Sequence, residues 1–171
     1  MQANPSSVCE ESTFTAIFKE YSKTLHNYLY YKTGNLALSH DLTQEAFVRL
    51  WKNCKDVVVD TAKGYVFKVA NNLLINEHKH QQVVLKFQKL PTISQTNESP
   101  AYLLEEKELK ERLEAAISAL PEKQRVVFLL SRIERKTYKE IAEMLGISKQ
   151  AVEKRMYNAL DALRLISKKI R

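Results

Sequence analysis

The chain has 171 residues, of which 44% are hydrophobic and 27% charged, and its formal net charge is +7. The composition excludes a disordered chain, and the length allows one compact domain or two small ones. No apolar run is long enough to cross a membrane, and no charged start leads into an apolar stretch and a cleavage site, so we expect a cytoplasmic protein. Three glycines and four prolines favour an all-α chain with short connections.

The spacing of apolar residues predicts the first two helices. The first contains Phe14 and ends at Gly34, and Asn35 can cap the second. Trp51, near the end of the second helix, is expected in the core rather than at a contact surface. The second helix gives way to "VVVDTAKG", whose β-branched run is more typical of a loop. The apolar residues of the second helix are Leu38, Leu42, Ala46, Phe47, Leu50 and Trp51.

A third helix is predicted to open near Ala62 and to end in "NEHKHQQ", so that three helices close a small domain over residues 10–82. Residues 83–104 show no sustained period, and Pro91 and Pro100 bracket a stretch of Thr, Ser, Gln and Asn. We therefore predict a flexible linker over 83–104 and a second helical domain over 105–171. The predicted fold class is all-α, with two small helical domains.

The second domain is predicted to begin with a helix that carries an apolar stripe. Glu108 and Arg112 are four residues apart and support this helix as a surface ion pair. Pro121 breaks it and suits the start of the next helix. The stripe residues are Leu109, Leu113, Ile117 and Leu120. The residues predicted to face inward on the next helix are Val126, Leu129, Leu130 and Ile133.

The stretch "TYKEIAEMLGISKQAVEKRMYNALDAL" predicts two helices separated by a glycine turn. Thr137 and Glu140 fit a capping box, in which each side chain satisfies a backbone donor. Gly146 permits the positive φ that ends the first helix, and Ser148 can cap the second. The residues predicted inward on the second helix are Val152, Met156, Leu160 and Leu163. Those predicted outward at its start are Lys149, Gln150, Glu153 and Lys154.

Two helices, a short turn and a polar face on the second helix indicate a helix-turn-helix, whose second helix enters the major groove of DNA. Lys, Gln and Glu offer hydrogen-bonding groups that match base edges. Residues 146–171 carry seven Lys or Arg against two Asp or Glu, and such a basic helix can neutralise phosphates. The alternative is an ordinary helical hairpin with a solvated face.

No motif of an enzyme is present: the sequence has no phosphate-cradling glycine loop, no HExxH and no GxSxG. We therefore expect no catalytic activity, no cofactor and no metal. Cys9 and Cys54 are far apart in the sequence and belong to no metal-binding pattern, so they are predicted to be free thiols in a reducing cytosol.

These features, in this order, resemble the sigma-70 family of RNA polymerase subunits, and within it the small extracytoplasmic-function (ECF) group. "LPEKQRVVFLLSRIERKTYKEIAEMLGISKQAVEKRMYNALDALR" resembles region 4 of that family. "SHDLTQEAFVRLW" resembles region 2.2, and "AKGYVFKVANNLLINEHKH" resembles regions 2.3 to 2.4. Many regulators end in a motif like region 4, but both halves in the right order are strongly specific.

The resemblance implies a sigma factor that binds core RNA polymerase and directs promoter recognition and strand opening. Region 2 of such proteins docks on the clamp helices of the polymerase β′ subunit, and carboxylates and an amide beside apolar residues suit that partner. Leu42 and Phe47 are alternatively core residues. The residues at the matching positions are Asp41, Leu42, Gln44, Glu45 and Phe47.

Two DNA surfaces are also implied. The end of region 2 would hold the opened strand at the −10 element, although this sequence has "NEHKHQQ" where the family commonly has an Arg-rich run. Region 4 would read duplex at the −35 element and touch the polymerase β flap. The −10 candidates are Lys63, Lys68, Asn72, Asn76, His78, Lys79 and His80. The −35 candidates are Arg135, Lys136, Ser148, Lys149, Gln150, Glu153, Lys154, Tyr157 and Asn158.

Two other classes of protein compete with the sigma factor. A stand-alone helix-turn-helix regulator binds duplex by itself, but it needs a sensing or dimerising domain that the first half does not resemble. A helical adaptor leaves the basic, polar recognition face without a role. The resemblance further implies an anti-sigma factor as a partner, frequently membrane-bound in this group, although this chain has no inserting segment of its own.

Overall fold

The computed structural model describes residues 7–77 and 100–169, with side chains for residues 7–76 and 107–165. Within these ranges all regular secondary structure is α-helix, which confirms the all-α prediction. None of the helices described is long and apolar enough to cross a membrane. The helices are α1 (Glu11–Thr33), α2 (Leu36–Lys52), α3 (Val59–Glu77), α4 (Pro100–Ser118), α5 (Glu122–Arg132), α6 (Tyr138–Leu145) and α7 (Lys149–Lys169).

The first three helices pack against one another, with their ends set by the residues predicted to do so. Gly34 adopts a φ of 67° and its N–H donates to the Tyr30 carbonyl, which ends α1. The Asn35 side chain then accepts a hydrogen bond from the Leu38 N–H at 3.0 Å and caps α2. Leu25, Leu29, Leu50, Val66 and Phe67 are fully or almost fully buried between the three helices.

Two helices begin earlier than the sequence predicts. Helix α3 starts at Val59, inside the stretch predicted as a loop. Asp60 lies in its first turn, where a negative charge is favourable, and Ala62 and Val66 are fully buried, so packing overrides the weak loop preference of β-branched residues. Helix α4 starts at Pro100, within the range 83–104 assigned to the linker, because proline fits a first helical turn.

Some residues predicted to be buried are exposed. Leu109 is 68% exposed and Leu113 is 42% exposed, whereas Ile117 and Leu120 on the same stripe are buried. The first part of α4 therefore extends beyond the core. Ile133 and Trp51, both predicted in the core, are 41% and 46% exposed.

The prediction of two free thiols is wrong, because Cys9 and Cys54 are joined by a disulfide. The bond links the segment before α1 to the turn after α2, across a sequence separation of 45 residues. Pairing at that separation depends on the antiparallel packing of α1 on α2, which the spacing of the cysteines does not reveal.

The two groups of helices, α1–α3 and α4–α7, contact each other mainly through α1 with α5 and α3 with α6. Arg125 on α5 is 4% exposed and lies at the centre of this contact. Its guanidinium donates to carbonyl oxygens at the end of α1 and in the turn between α4 and α5. The distances are 2.8 Å to Tyr31, 3.5 Å to Lys32, 3.0 Å to Ser118 and 2.8 Å to Leu120.

A second polar contact between the two groups of helices lies beside Arg125. One carboxylate oxygen of Glu134, just after α5, accepts hydrogen bonds from the Asn27 amide at 2.7 Å and the Tyr31 hydroxyl at 2.8 Å. Burial, and then the neighbouring carboxylate, raises the pKa of Tyr31, so the hydroxyl remains a donor throughout the neutral range. An ion pair of 3.1 Å also joins Lys32 to Glu122.

We predict that Arg125→Met lowers the free energy of unfolding by about 3 kcal/mol, since it leaves buried carbonyl groups without their charged donor. Chemical denaturation followed by circular dichroism measures the change. Lys123→Met on the exposed side of the same helix is the matched control, with an expected change within about 0.5 kcal/mol. Equal losses in the two variants would contradict this role of Arg125.

Candidate nucleic-acid interface

The turn between α6 and α7 has the geometry that the sequence predicts. The Thr137 hydroxyl accepts from the Glu140 N–H at 3.3 Å, and the Glu140 carboxylate accepts from the Thr137 N–H at 2.8 Å, so the capping box is confirmed. Gly146 has a φ of 62°, and a Cβ at this position would meet no atom within 4 Å. Glycine is therefore favoured here by backbone conformation and not by lack of space.

Helix α7 begins directly after the turn and presents a polar face. The Ser148 hydroxyl accepts from the Ala151 N–H at 3.2 Å and caps the helix as predicted. Val152 and Met156 are buried, which turns the opposite face outward. The side chains exposed on that face are Lys149, Gln150, Glu153, Lys154, Tyr157 and Asn158.

The charges of this exposed face leave one cation more available than the other. Lys149 pairs with Glu153 at 3.5 Å, four residues along the helix. No ion pair is recorded for Lys154 in the described part of the chain, so its ammonium group is available for a phosphate. Tyr157 is 69% exposed and lies one helical turn beyond Lys154 on the same face.

Arg135 and Lys136 precede α6 in a tight turn. The Glu134 N–H donates to the Leu129 carbonyl and the Lys136 N–H donates to the Leu130 carbonyl. Arg135 has a φ of 55° and is the one residue other than glycine with a positive φ in the described chain. Its side chain is exposed and that of Lys136 is half-buried, next to the helix-turn-helix.

The candidates for holding an opened strand lie on α3. Lys68, Asn72 and Asn76 are exposed and follow one another at intervals of four residues, so they form a line on one helix face. Lys63 is five residues before Lys68 and does not belong to this line. Its ammonium group pairs with Glu143 of α6 at 3.0 Å, and its side chain is 17% exposed. His78, Lys79 and His80 lie outside the described residues.

The first and second groups of helices enclose a cleft of about 1070 Å³, partly polar and partly apolar. Asn71, which is not among the residues predicted for the site, accepts from Lys32 at 2.6 Å and from the Tyr28 hydroxyl at 3.2 Å in this cleft. Arg155, on the half-buried side of α7, also lines it. The adjacency of Asn71 to Asn72 was the one sequence signal for its position.

The predicted polymerase-binding residues on α2 divide into two sets. Asp41 and Gln44 are exposed, and Glu45 is half-buried and accepts from the Arg49 guanidinium at 2.8 Å. Leu42 and Phe47 are 5% and 3% exposed, so the structure places them in the core and corrects their assignment to the surface. Residues at those positions face the core because α2 packs against both α1 and α3.

No group of three or more His, Cys, Asp and Glu side chains within the described ranges is arranged to hold a metal ion. The described chain presents an exposed polar face at the start of α7, a line of polar and cationic side chains on α3, and a mixed polar face on α2.

Comparison with known proteins identifies the family. The pattern described as Sigma-70 region 2 matches residues 17–83, and that described as Sigma-70, region 4 matches residues 110–163. The chain belongs to the sigma-70 family of RNA polymerase subunits, and within it to the ECF group. Its function is that of a sigma factor in promoter recognition.

Three relatives illustrate the similarity. ECF RNA polymerase sigma factor SigE of Mycolicibacterium smegmatis is 24% identical over 86% of this chain, which spans only 59% of that protein's length. SigL of Mycobacterium tuberculosis strain H37Rv is 28% identical, over 91% of this chain and 89% of the relative. SigM of Bacillus subtilis strain 168 is 26% identical, over 90% and 94%. The solved RsbN–BldN complex aligns with 20% identity over 92% of this chain and 93% of that chain, with a TM-score of 0.33.

The capping box predicts a specific pH dependence of stability. The backbone and side-chain donors of Thr137 hold the pKa of Glu140 below its ordinary value of 4.5. A carboxyl group with a lowered pKa in the folded state stabilises the fold above the unfolded value, and that contribution is lost as the pH falls through the folded value.

We therefore expect the free energy of unfolding of the wild type to fall more steeply from about pH 6 to about pH 3 than that of Glu140→Gln. Glutamine retains the cap but does not titrate. Denaturant titrations at several pH values measure both slopes. Parallel curves for the two proteins would show that the box contributes nothing to acid sensitivity.

Proposed function

We propose that the chain binds core RNA polymerase through α2 and contacts promoter DNA through α7 and α3, as a cytoplasmic initiation factor without catalytic activity of its own. The observation that carries the proposal is the exposed polar start of α7 beside a confirmed cap and glycine turn. In a helix-turn-helix these first turns meet base edges in the major groove. An anti-sigma partner stays a prediction from the resemblance alone.

The −35 contacts fit the chemistry of this face. Lys149, Gln150 and Glu153 can each bond base edges, whereas Lys154 and Arg135 can neutralise phosphates. Tyr157 and Asn158 extend the same face one turn further. A single helix of this kind buries little DNA surface, so its affinity depends on phosphate contacts that salt weakens.

One of the proposed −10 contacts, that of Lys63, requires a rearrangement of the compact chain. Lys68, Asn72 and Asn76 are already exposed, but Lys63 is held by Glu143 across the contact between α3 and α6. Lys63 therefore reaches a DNA strand only when α6 moves away from α3. Binding of the two groups of helices to separate sites on polymerase would separate α6 from α3. Because polymerase then fixes the distance between the two groups, their two weak contacts act together as one strong contact.

The first test is transcription in vitro by core polymerase with the chain, with sequencing of the transcripts. Lys149→Ala with Gln150→Ala should lower initiation at promoters that depend on the −35 element by about ten- to hundredfold, since a base-specific bidentate contact is worth about 1–3 kcal/mol. Lys107→Ala, which also removes one exposed cation, is the control and should leave promoter choice unchanged.

Unchanged promoter choice in the double variant would contradict the assignment of α7. Independently, the isolated chain should bind duplex only weakly and in a salt-sensitive manner. If it bound a palindromic site at nanomolar concentration and core polymerase changed nothing, the chain would act as a stand-alone regulator instead.

The second test addresses the polymerase surface. Asp41→Ala, Gln44→Ala and Glu45→Ala together should weaken binding to core polymerase without unfolding the chain, because none of the three side chains is buried. Glu108→Ala with Glu111→Ala removes the same charge from the exposed surface of α4 and serves as the control. An unchanged dissociation constant for the triple variant, measured by biolayer interferometry, would place the docking surface elsewhere.

A further inference from the structure

The disulfide between Cys9 and Cys54 fastens a segment that little else holds. Val8 is 1% exposed and anchors the segment in the core. The hydrogen bonds of residues 7–10 are all local. The Cys9 N–H donates to the Ser7 hydroxyl and the Glu10 N–H to the Ser7 carbonyl, while Glu10 accepts from the Phe14 N–H and the Thr13 hydroxyl in the first turn of α1. Glu10 stands at the N-cap of α1 without a side-chain capping bond. Opening the disulfide therefore leaves the segment before α1 with Val8 as its main attachment to the core.

An aromatic cluster lies directly beside this attachment. Phe14, in the first turns of α1, packs edge-on against Trp51 near the end of α2, with ring centroids 5.0 Å apart. Phe47 contacts Phe14 at 6.3 Å and Phe18 at 4.9 Å. The Cys54 N–H donates to the Trp51 carbonyl at 3.3 Å, so the disulfide is bonded to the same turn that carries the indole ring.

Part of this cluster is exposed and continues the proposed polymerase surface. Phe18 is 42%, Val48 is 43% and Trp51 is 46% exposed, and together we call them the apolar patch. Val48 and Trp51 follow Asp41 and Gln44 at helical spacing along one face of α2. The combined surface is apolar at one end and carries a carboxylate and an amide at the other, which matches a partly apolar, basic helical partner.

From this juxtaposition we infer that the Cys9–Cys54 disulfide is a redox switch for docking on core polymerase. In the oxidised chain the bond fixes the start of α1 against the end of α2 and holds the apolar patch in the shape that docks. In the reduced chain Phe14 no longer holds Trp51 firmly, so the patch must be ordered during binding, and that ordering weakens the complex. The inference rests on the proposed function, because it concerns the same docking surface.

The chemistry of the switch is thiol–disulfide exchange. A reducing dithiol attacks one sulfur, the mixed disulfide is resolved by its second thiol, and the products are two cysteine thiols and the oxidised reductant. Two electrons and two protons pass to the protein, and the reverse reaction needs a disulfide oxidant. Both cysteines are partly exposed, so the sulfur atoms are within reach of such a reagent. A disulfide inside a reducing compartment is usually transient and redox-sensing or catalytic.

Oxidation of the two cysteines and binding of polymerase are thermodynamically linked. If oxidation raises the affinity for polymerase by a given factor, bound polymerase must favour the disulfide over the dithiol by the same factor. Couplings of this kind amount to about fivefold or more. The apolar patch contains the one tryptophan of the chain, so its fluorescence reports on this surface alone.

The experiment measures the affinity of the full chain for core polymerase in the oxidised and the dithiothreitol-reduced state, with the state of the cysteines verified by thiol trapping and mass spectrometry. We expect the reduced chain to bind at least about fivefold more weakly. Cys9→Ser with Cys54→Ser should match the reduced wild type under both conditions, which removes any effect of reductant on polymerase itself. The emission of Trp51 should change on reduction in the wild type and remain constant in this variant.

A stability control separates the switch from a general loss of folding. Val127→Ala lies on α5, away from the apolar patch, and leaves a cavity that also lowers the stability of the chain. This variant, kept oxidised, should retain the wild-type affinity at a temperature where circular dichroism shows all proteins folded.

Three outcomes overturn the inference. Thiol trapping that finds no disulfide under oxidising conditions removes the switch itself. Equal affinities of the verified oxidised and reduced chains refute its effect on docking but leave the proposed function intact. Absence of polymerase binding in both states overturns the proposed function and, with it, the switch.

Discussion

A buried guanidinium group holds the two helical domains together. Arg125 carries its charge into a site where its partners are carbonyl oxygens at the end of α1 and in the turn between α4 and α5. The last carbonyls of a helix have no partner within the helix and carry partial negative charge, so a cation is favoured there. Arg125 thus satisfies the end of α1, orders the turn before α5 and fixes α5 against α1.

The same contact decides which functional surfaces the compact chain displays. Glu134 and Glu143 bond groups of the first domain, and the second of these bonds neutralises Lys63. The start of α7 points away from this contact and remains exposed. The compact chain therefore keeps the surface proposed to read duplex accessible, while one of the residues proposed to bind the opened strand is engaged internally.

Features that depend on neighbouring residues alone were predictable from the sequence. Gly34, Asn35, Gly146 and the box of Thr137 and Glu140 act on the backbone within a few residues of themselves, so their patterns determine the helix ends directly. The outward face at the start of α7 followed from helical periodicity for the same reason.

Features that depend on packing between distant helices were not predictable. Leu109 and Ile133 have the spacing of buried residues, but the described helices leave both exposed, and Trp51 is covered by Phe14 on one side only. Arg125 looks like any surface cation until the end of α1 is placed beside it. The disulfide requires the antiparallel packing of α1 and α2 to bring together two cysteines that give no signal in the sequence.

Arg135 combines a strained backbone conformation with an exposed, charged side chain in the turn before α6. Its positive φ is unfavourable for most residues with a Cβ, and glycine, which has none, would relieve that strain. Selection for stability alone would therefore remove arginine from this turn. A chain that keeps it accepts a less stable link between α5 and α6 and retains a cation that projects beside the recognition helix. On the proposed phosphate contact of Arg135, a substitution that relieves the backbone strain would raise stability and lower DNA affinity at the same position.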